Sequence, residues 1–169
     1  MKSLKYFFAL SLLTLNLNSV VLEQDQINTL INTLIETAKD VRKNAYCPYS
    51  KFQVGAAILT KSGRVFRGVN VENAAYGPTN CAERTAIFTA VTEGELVINK
   101  EDESSEKRIQ AVAVVLNVNS PEEASPCGVC RQVIWEFAQD KDMPIIMCTT
   151  SGDYIIKTIE ELLPFGFKL

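Results

Sequence analysis

Cys81-Ala82-Glu83 and Pro126-Cys127-Gly128-Val129-Cys130 are the two stretches whose residue types and spacing could do chemistry. Thiolates suit zinc, and a carboxylate two residues from a ligand can sit beside a metal without binding it and move protons there. A C-x-x-C pair alone reads equally as a redox pair, half of a structural zinc site or two unrelated core cysteines. Position favours a metal, because both stretches open segments of helical composition. A helix N-terminus presents unpaired N–H groups and a partial positive charge that lower thiol pKa values, so two such starts can converge on one ion.

Three thiolates carry three negative charges against the two of Zn2+. Arg84 and Arg131, each directly after a motif, are placed to offset the excess. Three protein ligands leave the fourth tetrahedral position to water, the arrangement of catalytic zinc. The chain has no histidine, so the usual base near neutrality is missing and Glu83 becomes the leading candidate. The alternative is a closed four-cysteine structural site completed by Cys47 or Cys148, with Glu83 merely a carboxylate favoured by the helix dipole. Cys148 lies in an apolar stretch that reads as core, and Cys47 precedes Pro48 in a loop without a nearby ligand partner.

The elements that must position these residues follow from periodicity. Ile27, Leu30, Ile31, Leu34, Ala38, Val41 and Ala45 recur at three- and four-residue steps and predict an amphipathic helix over 23–45, ended by Pro48. Residues 54–60 and 64–70 read as a hairpin turned by Lys61-Ser62-Gly63. After a loop at 72–80, residues 81–93 favour helix, with Ala86, Ile87, Ala90 and Val91 on one face. The charged stretch 99–108 reads as a solvated loop. The β-branched run 110–118 predicts a central strand covered on both faces, followed by a helix at 127–139 and strands at 144–149 and 154–158. This order implies an α/β protein with a mixed sheet and helices on both faces.

Length and composition set the frame. The chain has 169 residues, 47% hydrophobic and 22% charged, with net charge -3. That fits one domain over 23–169 behind an apolar N-terminal segment, 1–22. Neither the charge nor any Lys/Arg cluster interleaved with aromatics offers a surface for nucleic acid. Five cysteines are an odd number in a chain too large to need stapling, so metal or reduced thiols fit better than disulfides. Lys2 and Lys5 precede an uncharged apolar run to residue 22, built like the start of a signal peptide. It falls short of a comfortable span, so stable membrane insertion is not expected. No A-x-A site follows, and secretion and a retained apolar arm both stay open.

Four stretches carry a family resemblance: Tyr49-Ser50-Lys51-Phe52-Gln53-Val54-Gly55-Ala56-Ala57, Gly68-Val69-Asn70-Val71-Glu72-Asn73-Ala74-Ala75-Tyr76, Cys81-Ala82-Glu83-Arg84-Thr85-Ala86 and Ser125-Pro126-Cys127-Gly128-Val129-Cys130-Arg131-Gln132. Together they resemble the zinc-dependent cytidine deaminases of the small homotetrameric type, over about residues 49–167. The resemblance implies a three-layer α/β/α sandwich with a mixed five-stranded sheet. It implies one Zn2+ per chain on Cys81, Cys127 and Cys130, with Glu83 as proton shuttle. The implied reaction is hydrolysis of cytidine and 2'-deoxycytidine to the uridines and ammonia, in cytosolic pyrimidine salvage. By the same resemblance Asn70 and Glu72 bind the ribose hydroxyls and Phe52 packs beside the pyrimidine. Ala82 N–H and the Ser125 region contact the ring's polar edge, and Tyr76 and Phe165 reach neighbouring subunits' sites. The segment 1–22 and the length of the loop 99–108 depart from the family pattern.

Overall fold

A computed structural model describes residues 16–17, 20–21, 23–96 and 108–168. Two short strands, β1 (Asn16–Leu17) and β2 (Val20–Val21), pair antiparallel. The rest of the apolar segment 1–22, and all of the charged loop 99–108 except Arg108, lie outside the described residues. No helix among the described residues is long and apolar enough to cross a membrane.

The middle layer is a mixed sheet of β3 (Val54–Thr60), β4 (Val65–Val69), β5 (Ile109–Leu116), β6 (Pro144–Thr149) and β7 (Tyr154–Thr158), in the order β4-β3-β5-β6-β7. Only β5 and β6 run parallel. A parallel pair needs a crossover, and a 3₁₀ turn (Pro121–Ala124) and the helix α3 (Gly128–Phe137) supply it. The crossover carries Cys127 and Cys130 to the end of the sheet.

β5 is buried along its whole length, which explains its unbroken apolar sequence. Its side chains alternate between two cores. Ala111, Ala113 and Val115 join Ile27, Ile31, Leu34 and Ile35 of α1 (Gln24–Val41). Val112, Val114 and Leu116 join Ile87 of α2 (Ala82–Thr92), Ile134 of α3 and Ile159 of α4 (Ile159–Leu162). The result is the three-layer α/β/α sandwich, with α1 alone on one face.

Two glycines permit the closest approaches between layers. A Cβ on Gly55 would sit 2.8 Å from Arg42 Cβ and closer still to the Ala38 carbonyl oxygen, so Gly55 lets α1 lie against β3. A Cβ on Gly68 would sit 2.9 Å from Thr85 Cβ and overlap backbone of Ala82 and Ala86. Gly68 therefore seats the first turn of α2, and with it Cys81 and Glu83, directly on β4.

The expected elements are present with shorter ends. The first helix stops at Val41 and tightens into a 3₁₀ turn, Arg42–Asn44, after which Ala45 turns extended and Tyr46 pairs with Val71. Cys81 and Cys127, expected as first helical residues, are N-caps with extended backbone. The central strand ends at Leu116 rather than 118. α4 was not expected, although Thr158 and Glu161 spell a capping box: Thr158 Oγ1 accepts from Glu161 N at 3.1 Å and Glu161 Oε2 accepts from Thr158 N at 2.8 Å.

Candidate active site

The site forms where α2 and α3 begin. Cys81 and Cys127 hold extended backbone, and their carbonyls accept the first helical hydrogen bonds, from Thr85 N at 3.1 Å and Arg131 N at 2.9 Å. Cys130 lies in the first turn of α3. Ahead of Cys81, Asn80 and Val71 exchange backbone hydrogen bonds at 2.9 Å each, while Tyr46 and residues 70 and 72 do likewise at 3.1 and 2.8 Å. This small ladder sets Asn70 and Glu72 beside the entry to α2.

The Cys81, Cys127 and Cys130 sulfurs all lie within 4.8 Å of one another. Cys81 and Cys127 are 3.8 Å apart. Ligands about 2.3 Å from a tetrahedral zinc are separated by about 3.8 Å, so the donor set fits that ion in chemistry and in spacing. Cys47 and Cys148 are not in the cluster. Cys148 lies fully buried in the α1 core, where burial pushes its thiol up to about 11. Among the described residues the cluster thus has three thiols, and the four-cysteine alternative is not what the fold builds.

The surroundings favour ligand thiolates. The Cys130 thiol and then the Arg84 guanidinium hold the Cys81 thiol down at about 5, while Cys130, partner in that hydrogen bond and itself buried, is pushed up. Arg84 NH2 is 3.7 Å from Cys81 Sγ and donates to Thr79 O at 3.3 Å. Glu83 is only 3% exposed. Burial, helped by the Cys81 thiolate, pushes its carboxyl up to about 7, the poise of a group that both takes and returns protons near neutrality.

Arg131 has other partners than Arg84. Its guanidinium donates to Pro126 O at 2.7 Å, Ser125 Oγ at 2.8 Å and Leu162 O at 2.8 Å. These three bonds, one from each guanidinium nitrogen, brace the loop before Cys127, whereas Arg84 is the cation seen on a sulfur.

Asn70 and Glu72 are engaged in ways the sequence did not reveal. Asn70 Oδ1 accepts from Val54 N and its amide donates to Phe52 O, both at 2.8 Å. Glu72 Oε2 accepts from Tyr49 N at 2.9 Å and Ser50 N at 3.2 Å. Hydrogen bonds from the Ser50 side chain and from these amides hold the Glu72 carboxyl below its ordinary value. The pair thereby fixes the turn that carries Phe52, in which Lys51 has φ 58. Phe52 is 42% exposed, Tyr76 94% and Phe165 100%. Ala82 is the first residue of α2, where an N–H lacks an intrahelical partner.

Known proteins resemble this chain in sequence and fold. The model of the cytidine and deoxycytidylate deaminase zinc-binding region matches residues 28–147. A cytidine deaminase of Sporosarcina psychrophila is 44% identical over 138 residues, 82% of this chain and 91% of that protein. One of Halalkalibacterium halodurans is 46% identical over 134 residues, 79% of this chain and 91% of that protein. The crystal structure of cytidine deaminase from Burkholderia pseudomallei superposes with TM-score 0.69 at 43% identity, covering 80% of this chain and 98% of that one. The family model spans well over half of the chain and these relatives match most of it, so the chain belongs to the cytidine and deoxycytidylate deaminase family.

Proposed function

We propose that this chain hydrolyses cytidine and 2'-deoxycytidine to uridine and 2'-deoxyuridine, releasing ammonia. The observation that carries the reading is a buried carboxylate, Glu83, two residues from one of three convergent thiols. Cys81, Cys127 and Cys130 would hold zinc, which when bound would supply Lewis-acid activation of the attacking water. Glu83 takes a proton from that water and delivers it to N3 of the pyrimidine as oxygen adds to C4. It then carries the second proton to the departing amino group. Arg84 tempers the negative charge of the thiolates, which would otherwise blunt the metal.

Substrate placement rests on the residues around that centre. Asn70 and Glu72 take the ribose hydroxyls, using the acceptor and donor capacity that the Phe52 turn leaves them. Phe52 lies beside the pyrimidine, with Ala82 N–H and the Ser125 region at its polar edge. A carboxylate at Glu72 repels a phosphate, which favours a nucleoside over a nucleotide. Tyr76 and Phe165 stand almost wholly outside their own chain. Aromatics so exposed support a homotetramer in which each chain lends them to a neighbour's site. The cysteines are all free, and thiolate ligands persist best in a reducing compartment, which supports a cytosolic place in pyrimidine salvage.

Ammonia release from cytidine, deoxycytidine, CMP and cytosine at equal concentration tests the substrate. Both nucleosides turn over, and CMP and free cytosine lag well behind. A preference for CMP overturns the nucleoside reading.

A further inference from the structure

α3 does more than begin at the metal-ligand cluster; it also grips the end of the chain. Gln132 Nε2 donates to Phe167 O at 2.9 Å, and Lys168 Nζ reaches Ala138 O at 3.4 Å. Gly166 packs so closely on Trp135 that an added Cβ would fall 2.6 Å from the indole. Immediately before these contacts Phe165 adopts φ 62 and projects wholly into solvent. Arg131 bonds both Leu162 O, which leads into this C-terminal segment, and the loop that precedes Cys127.

We propose that Arg131 is a positioning residue that ties the Ser125-Pro126 loop, and through it the Cys127 ligand, to the C-terminal segment carrying Phe165. Its planar fork suits the task, since three donors held in one plane fix three acceptors at once, which a lysine ammonium does not reproduce. One acceptor is Pro126 O, one peptide from Cys127, and another is Leu162 O, three residues from Phe165. Anything that seats or displaces Phe165 therefore acts on a metal ligand through Arg131.

The inference rests on the zinc reading of the three-cysteine cluster, and the test keeps the two apart. Zinc content of the unsubstituted protein, near one per chain, checks the metal. Arg131→Lys, loaded with zinc, then releases it to excess chelator faster by about tenfold or more, the scale expected when a ligand's outer support is lost. Backbone amide exchange rises together at Ser125, Cys127 and Gly128 and at Leu163 and Gly166. Ser125→Ala removes one acceptor of the fork and speeds release to a smaller degree. Gln132→Ala loosens only the parallel grip, raising exchange at the chain end while zinc release stays as in the parent. Unchanged release in both Arg131→Lys and Ser125→Ala overturns the proposal, as does equal acceleration in Gln132→Ala. Where the parent holds no zinc, the joint rise in exchange still supports the tie, and exchange confined to one segment overturns it.

Discussion

Glu83→Gln keeps zinc at the parent level and lowers turnover of cytidine by about a hundredfold to ten-thousandfold, the range supplied by a positioned general acid–base. The amide matches the carboxylate in shape, so the buried first turn of α2 keeps its packing and the cysteine ligands keep their places. What it loses is exchangeable protonation. Glu83 sits beneath the protein surface with its carboxyl raised to about 7, chiefly by burial, and the chain contains no histidine to replace it. Paired measurements of zinc content and initial rate check this. Near-normal turnover with full zinc removes Glu83 from the mechanism.

Cys130→Ala has the second large effect, and it falls on the metal. Cys130 is fully buried against the other two sulfurs, within 4.8 Å of both, and no further cysteine joins the cluster. Two thiols cannot form the three-point seat that catalytic zinc requires. Zinc drops from about one per chain to near zero and deamination goes with it. Cys47→Ser is the matched comparison, because Cys47 lies outside the cluster, and it keeps both metal and activity. Loss of zinc in Cys47→Ser as complete as in Cys130→Ala contradicts the three-thiol assignment. Both are read by metal analysis of the purified proteins.

The site was legible in the sequence where chemistry is written in residue type. Three cysteines and a glutamate at two helix starts identified the cluster, because helix N-termini converge readily and a sheet crossover brings distant starts together. The layers were legible in periodicity: Ile27, Ile31, Leu34 and Ala38 mark the face of α1 on the sheet, and the unbroken apolar run of β5 marks a strand with a core on each side. Spacing did not show where a long side chain turns. Arg84 and Arg131 follow their motifs alike, yet one lies on a sulfur and the other on two carbonyls and a hydroxyl. Nor did it show that Asn70 and Glu72 also secure the Phe52 turn, since those bonds reach backbone far along the chain. The capping box of Thr158 and Glu161 was present in the sequence; its helix is so short that apolar period gave no signal.

The most direct test of the account is the fall in ultraviolet absorbance as purified protein converts cytidine to uridine, followed with and without a zinc chelator. The account predicts steady conversion that the chelator abolishes and added zinc restores. A protein with one zinc per chain that leaves both cytidine and deoxycytidine unchanged, or one whose conversion survives complete removal of zinc, contradicts it.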